Sequence, residues 1–304
     1  MSRVALSEKD IKALTDFLGS VSKDPLEFVR LAFPWGEPNT QLEDKEGPDI
    51  WQIELLNDIK EGLKTPDQVI REAVASGHGI GKSAMVAWII LWAISTHEDT
   101  KGVVTANTDT QLKTKTWAEL AKWYYLFIAK DLFTYSATSI YSNQEGHEKT
   151  WRIDAIPWND SNPAAFAGLH NQGKRTLVIF DEASEISDII WEVAEGAMTD
   201  ADTEIIWCVF GNPTQSSGRF HACFHKNRSL WNRKQIDSRT VKISNKAELE
   251  GWRVQYGEDS DFFKVRVKGE FPSASEKQFI STALVDEARR RTLHEKQFRF
   301  APVI

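Results

Sequence analysis

The sequence predicts an α/β fold, with a mainly parallel sheet covered by helices and a small helical subdomain at the C-terminal end. Three observations lead there. Strand-like and helix-like segments alternate through the middle of the chain, the pattern of parallel strands joined by helical crossovers. The stretch SGHGIGKS, residues 76–83, lies between a short strand and a long apolar helix. The stretch TLVIFDEAS, residues 176–184, is an apolar run ending on two adjacent carboxylates, as a buried strand with a polar terminus would. In an open α/β sheet, ligands gather beyond the carboxyl ends of the strands, so these termini are where chemistry is expected.

Taken in order, residues 8–18 and 25–33 read as short amphipathic helices, followed by a Pro/Gly-rich turn region over 34–48. A helix over 50–63 precedes a strand over 68–76 that feeds the glycine-rich stretch. Next come a helix over 82–96, a strand over 102–106 and a helix over 110–127, in which Trp117, Leu120 and Tyr124 recur at helical spacing. A pair of strands falls between 138 and 156, with the polar segment 142–149 as its turn. The apolar runs 176–180 and 205–210 suit central strands. Beyond 244 the pattern changes to helical segments over 246–256 and 260–267 and a loop over 269–277. The expected division is a domain over 1–243 and a linker subdomain over 244–304.

Composition narrows the function classes. The 304 residues are 41% hydrophobic and 27% charged, enough to build a large core and too apolar for wholesale disorder. The net charge of -7 excludes a general polycation while leaving room for a local basic track. Cys208 and Cys223 alone supply no disulfide framework and fit a reducing compartment. His221, Cys223 and His225 in HACFH would lie along one face of a strand, but no second ligand pair of zinc-like spacing accompanies them. The N-terminal MSRVALSEKD lacks the apolar core of a signal peptide, and the longest apolar run, 84–94, is far short of the ~20 residues that span a bilayer. No membrane association is expected.

The glycine-rich stretch has the residue types a phosphate-binding loop needs. Successive backbone N–H groups of Ser76, Gly77, His78, Gly79, Ile80 and Gly81 can turn around phosphate oxygens at a helix N-terminus; Lys82 can reach the β- and γ-phosphates, and the Ser83 hydroxyl can hold Mg²⁺. The match to G-x-x-x-x-G-K-[ST] is imperfect, with Ser76 in the first glycine position. At the acidic strand end, Asp181 would hold Mg²⁺ and Glu182 would deprotonate the attacking water. The same carboxylates could instead be the acidic start of a following helix capped by Ser184. In WCVFGNPTQSSGRF, residues 207–220, an apolar strand ends at Asn212 and Thr214; the amide could contact a γ-phosphate, or the segment could be an ordinary Gly-Asn-Pro turn. Gln52 could read an adenine edge or be a plain helix-start residue. Between 211 and 242, Arg219, Lys226, Arg228, Arg233, Lys234, Arg239 and Lys242 stand against Asp237 alone, a density suited to nucleic-acid phosphates or to a solvated face. Arg289, Arg290 and Arg291 form a second basic cluster.

Together, DIWQIELL, SGHGIGKS, VIFDEAS and FGNPT resemble the adenine-reading segment, phosphate loop, acidic strand end and coupling motif of the large terminase subunit of tailed double-stranded DNA phages. AFAGLHNQGKRTLVIFDE is similar to that family's approach to the acidic strand, and YGEDSDFFKVRVKGEFP to the segment before its nuclease domain. The resemblance implies a P-loop ATPase that uses ATP and Mg²⁺ to drive viral double-stranded DNA into a procapsid. It further implies a homo-oligomeric ring, pentameric by family habit, with portal protein and small terminase subunit as partners. The site would be the bacterial cytoplasm, with transient docking on the procapsid. The enzyme rival is a helicase-like or remodelling ATPase; the rival from another class is a nucleotide-regulated scaffold. Two departures stand out. His78 occupies the neighbourhood where the family often carries a loop arginine, which makes Arg175 and Arg219 candidates for the charge-stabilising arginine. QFRFAPVI resembles the entry into the nuclease domain, so no nuclease activity is expected of this chain. Arg228, Arg233 and Lys234 are the expected DNA contacts.

Overall fold

The computed structural model describes residues 7–65, 68–106, 108–158 and 169–273, together with residues 288 and 290. Arg289, Arg291 and the segment 297–304 lie outside the described residues, as does part of the 165–182 approach. Helices α1 (Glu8–Ser20), α2 (Pro25–Leu31) and α3 (Ile50–Gly62) precede strand β1 (Ile70–Ser76). Each has a local start signal: Ser7 and Asp10 form a capping box on α1, Asp24 caps α2 ahead of Pro25, and Asp49 with Gln52 boxes α3. Helix α4 (Lys82–Thr96) follows, apolar on every side and buried along nearly its whole length. After β2 (Lys101–Thr105), a short α5 (Asp109–Gln111) passes through a π-helical segment, Leu112–Trp117, into α6 (Ala118–Leu126).

Next come β3 (Phe133–Tyr135), β4 (Ser139–Ser142), β5 (Arg152–Ala155), β6 (Arg175–Asp181), α7 (Asp188–Gly196), β7 (Glu204–Gly211), α8 (Gly218–Phe224), β8 (Asn232–Ile236), α9 (Lys246–Tyr256) and α10 (Asp261–Phe263). A second π-helical turn, Lys264–Lys268, follows α10, in the segment that the sequence assigns to a linker. The eight strands form one sheet in the order β3-β4-β5-β2-β6-β7-β1-β8, parallel from β5 to β8, with β3 and β4 antiparallel at one edge. Sequence reading misses β3, α7, α8 and β8. The last of these, NRKQI, is a polar edge strand with little apolar alternation to reveal it.

Strand period sorts the core into two layers. Leu177 and Ile179 of β6 and Ile206, Cys208 and Phe210 of β7 pack toward α1–α4 and α6, whereas Val178, Phe180, Ile205, Trp207 and Val209 pack toward α7 and α8. Burial on both faces is what a continuous apolar strand requires. Leu249, Phe263 and Val267 make a small separate core under α9 and α10. HACFH departs from its expected strand: it lies in α8, where His221 and His225 stack one turn apart at 3.7 Å while the Cys223 Sγ bonds the Arg219 carbonyl inside the core. The three side chains do not converge.

The placement of β7 between β1 and β6 sets the spacing of the polar strand ends. With strands ~4.8 Å apart, the end of β1 and the end of β6 stand roughly 10 Å from each other, wide enough for a phosphate group between them.

One buried group in the sheet is titratable. Glu72 on β1 is fully buried, accepts one bond from Asn232 Nδ2 at 2.7 Å, and its Oε2 has no partner among the described residues. Burial pushes its carboxyl up to about 8 from the ordinary 4.5. A folded-state value above the unfolded one means that its contribution is fully present below pH 4.5 and lost as pH rises through about 8. Glu72→Gln keeps the acceptor for Asn232 and cannot ionise. It should melt above the natural protein at pH 8, with the gap closing toward pH 4.5 in thermal unfolding followed by circular dichroism; a gap independent of pH would contradict the assignment.

Candidate nucleotide site

The glycine-rich loop leaves β1 and enters α4 through two backbone positions that only glycine suits. Gly81 sits at φ 84° as the residue before α4. Gly77 is pressed so closely between Ser238 and the linker that a Cβ there would meet the Arg266 carbonyl at 2.7 Å and Val267 closer still. The loop's first two amides are used outward: Gly77 N–H donates to the Ile236 carbonyl at 3.1 Å and His78 N–H to the Arg266 carbonyl at 2.8 Å. By contrast, the N–H groups of residues 79–84 find no backbone acceptor among the described residues, and no side chain caps α4.

Those amides are aimed by what holds the carbonyls. In a trans peptide the C=O and the next N–H point in opposite directions, so anchoring one aims the other. Ser238 Oγ donates to the His78 carbonyl at 2.7 Å, Trp51 Nε1 to the Ile80 carbonyl at 3.2 Å, and Gln52 Nε2 to the Gly81 carbonyl at 3.3 Å. The N–H groups of Gly79, Gly81 and Lys82 therefore turn to the other side. Gln52 is 5% exposed, and its Oε1 accepts from Asp49 N–H at 2.7 Å. One N–H and one lone pair of that amide are committed to the loop and α3, so Gln52 positions the loop, while its second N–H and second lone pair stay open for an adenine edge at the cavity it lines.

Asn212, just past β7, joins the strand ends. Its Nδ2 donates to the Ser76 carbonyl at 2.6 Å, its Oδ1 accepts from Lys82 Nζ at 3.1 Å, and its own carbonyl accepts from Ser184 Oγ at 2.6 Å. Ser184 is thereby occupied, and α7 begins at Asp188 with Ser187 at the N-cap position, so the capping role weighed for Ser184 is not taken. Burial lowers the Lys82 ammonium from its ordinary value, while Glu182 and then Asp181 act in the other direction.

At the end of β6, Asp181 is buried; Thr116 Oγ1 donates to its Oδ2 at 2.6 Å and Glu182 N–H to its Oδ1 at 3.1 Å. Burial and then the Glu182 charge raise its carboxyl. Glu182 holds φ 54°, ψ 45°, a left-handed conformation that a non-glycine residue adopts at some cost and that turns the chain sharply off the strand. Thr116 and its neighbour Lys115 were not legible in sequence, because a polar position inside a helix-like run carries no periodic signal. Thr116 reaches the site through the π-helical segment, a device common at functional positions. Beside the loop lies a cavity of about 710 Å³, lined in part by Trp35, Gln52, Lys82, Trp88, Trp123 and Lys242.

The chain as a whole is similar to known proteins. The chain is 26% identical over 234 residues to a protein of Enterobacteria phage P7 described as a probable large terminase subunit, a match covering 72% of this chain and 46% of that protein. In sequence the chain is thus similar to a phage large terminase. It spans less than half of that relative's length. The fold agrees: the large terminase of a thermophilic bacteriophage, solved in complex with ADP, superposes with a TM-score of 0.56 at 13% identity over 74% of this chain and 54% of that one. The Thermus phage P74-26 large terminase ATPase domain does so with a TM-score of 0.52 at 13% identity over 72% of this chain and 92% of that one. No family model matches the chain.

The contacts of Arg175 correct one of the two arginine candidates. Arg175 begins β6, roughly 20 Å of strand away from Asp181, and is fully buried. Its guanidinium donates to Glu204 at 2.7 and 2.9 Å, to Thr96 Oγ1 at 2.8 Å and to the Ser22 carbonyl at 2.9 Å, and lies 4.2 Å over Trp92. It is a structural knot that cannot reach a phosphate at the loop. Arg219 is bound by Glu195, and its amide by Asp188, so its charge is already met at the seam of α7 and α8. The basic run is likewise partly neutralised: Lys234 pairs with Asp58 at 2.7 Å and Glu54 at 3.5 Å, Arg239 with Asp237 and Glu258, and Lys242 with Glu46. Lys234 is therefore a poor DNA contact. Arg228 and Arg233 are exposed and lack a carboxylate partner among the described residues.

Glu204 keeps Lys23 when Arg175 is removed, but the Ser22 carbonyl loses its donor and the fully buried guanidinium leaves a void over Trp92, a loss of about 2–5 kcal/mol. Arg175→Ala should destabilise the protein by that amount in urea unfolding. Near-neutral behaviour would return Arg175 to the list of functional candidates.

Proposed function

We propose that this chain hydrolyses ATP and that the hydrolysis drives double-stranded DNA into a viral procapsid. The observation that carries the reading is the run of amides at residues 79–84, free of backbone acceptors among the described residues, wrapped toward a lysine at the start of a buried helix. A helix N-terminus with inward N–H groups and a lysine is an anion site of the size and charge of a polyphosphate. The adjoining cavity has the volume and aromatic lining suited to a base and ribose.

In this reading Lys82 exchanges Asn212 Oδ1 for β- and γ-phosphate oxygens, and Asn212 becomes the group that senses the exchange. Glu182, aimed off the strand end by its left-handed backbone, takes the proton of the attacking water. Ser83 and Asp181 have the oxygen donors Mg²⁺ prefers, and a buried carboxylate raised by burial and by a second carboxylate beside it is one that a divalent cation would stabilise. That ion would neutralise charge on the β- and γ-phosphates. The likeness to terminases of known nucleotide complexes and to the P7 protein supports the motor assignment. It carries with it double-stranded DNA as substrate, a homo-oligomeric ring of five subunits, a portal protein and small terminase subunit as partners, and work in the host cytoplasm at the procapsid. No helix among the described residues is long and apolar enough to cross a membrane.

Two substitutions separate binding from chemistry. Lys82→Ala should abolish both nucleotide binding and phosphate release, whereas Glu182→Gln should bind ATP and hydrolyse it on the order of 10² times more slowly or worse, as for loss of a general base. Hydrolysis by Glu182→Gln at the natural rate would remove Glu182 from the mechanism.

DNA contact should fall on the exposed, unneutralised part of the basic run. Replacing Arg228 and Arg233 together by alanine should weaken duplex binding alike for all sequences and flatten the log K against log salt slope by about 0.9 per lost phosphate contact. An unchanged slope would place the DNA track elsewhere.

A further inference from the structure

Among the described residues, Arg266 is the cation of the linker that meets the glycine loop directly. It belongs to the π-helical turn Lys264–Lys268, and its Nη1 lies 3.2 Å from His78 Nε2. The guanidinium stands 5.1 Å over the Phe262 ring, which in turn stacks on Tyr256 at 3.9 Å. Unlike Arg152, Arg175, Arg219, Arg239 and Arg253, it has no carboxylate partner among the described residues, and it is exposed.

His78 reports which way this charge faces. Burial first, and then the Lys82 and Arg266 charges, hold the imidazole below its ordinary value, with Glu182 opposing and Lys115 adding to them. The ring is therefore neutral at pH 7, and its bare Nε2 accepts from the guanidinium. The geometry sets its place: through His78 the guanidinium stands beside the loop, one residue before the run of amides at 79–84. A neutral imidazole is a weak partner for a guanidinium, far weaker than an anionic oxygen.

We propose that Arg266 contacts the γ-phosphate, leaving His78 Nε2 for a terminal phosphate oxygen when a nucleoside triphosphate occupies the loop. This rests on the nucleotide reading above and deepens it: the linker of the same chain supplies the cation that the loop itself lacks at His78. The Phe262 ring holds the guanidinium in place before the ligand arrives, so less ordering is required on binding. The His78 amide bond to the Arg266 carbonyl fixes the backbone from which the side chain reaches.

The test is a calorimetric titration of the whole chain with Mg²⁺ and either adenylyl imidodiphosphate, which keeps a γ-phosphoryl group, or ADP, which has none. Arg266→Gln should weaken the imidodiphosphate about tenfold or more, as expected for a lost charge-assisted bond, and ADP less than about twofold. Arg266→Lys, which keeps the charge but not the fork, should recover part of the difference. Melting temperature, read in parallel without nucleotide, should not move, because the side chain is exposed. Equal weakening of both ligands, or of neither, by either variant would overturn the assignment of Arg266. Failure of the natural chain to bind either ligand, or binding by Lys82→Ala as tight as its own, would instead remove the nucleotide reading on which it stands.

Discussion

The side-chain amide of Asn212 holds the site in one geometry, because it satisfies two groups that would otherwise be incompatible with burial. The Ser76 carbonyl at the end of β1 and the Lys82 ammonium at the start of α4 are six residues apart in sequence, and the amide, 130 residues on from Lys82, reaches both. An ammonium withdrawn from water needs an acceptor, and a buried carbonyl needs a donor. A single carboxamide has one of each, in the right order. Ser184 then fastens the Asn212 carbonyl to the turn after β6, so the three strand ends β1, β7 and β6 are tied together. The phosphate site and the acidic strand end owe their fixed separation to this link and to the strand between them.

Around that link, the loop is shaped by neighbours on both sides. Trp51 and Gln52 come from α3, which precedes the loop in sequence, and Ser238, Ile236 and Arg266 come from segments that follow it by more than 150 residues. Each bonds the outer side of a peptide whose inner side faces the site. The inward amides are thus set before any ligand arrives, which is the preorganisation that anion recognition and charge stabilisation reward. It also places the linker in direct mechanical contact with the loop.

Charge is distributed by the same logic. At the far end of β6, Arg175 satisfies Glu204, the end of α4 and the turn after α1, binding N-terminal helices to the sheet. Along β8 and the segment after it, lysines and arginines that look like a polymer-binding track are mostly spent on carboxylates of α3 and the linker. What remains exposed is smaller than the linear count suggests, and it lies at the edge of the sheet.

The alternation of elements, the span of α4, the apolar strands and the positions of Lys82, Asp181, Glu182 and Asn212 were legible in the chain alone, since each depends on local pattern: period, capping residues, or a polar residue ending an apolar run. The edge strand β8 and the helix α8 were not, for their residues are polar or mixed and only their neighbours make them regular. The fates of Gln52 and Arg175 were also beyond local pattern. A glutamine at a helix start and an arginine before a strand have the same chemistry whether they face a ligand or the core, and only the folded chain determines which acceptors surround them. Thr116 and Arg266 show the converse case, where residues without any signal of their own are carried to the site by π-helical turns. Sequence determined which chemistry the chain possesses and the order in which its elements form. The tertiary structure decided which donors, acceptors and charges are already satisfied, because hydrogen bonds and ion pairs between residues more than a hundred positions apart exist only once the sheet has brought them within about 3 Å of one another.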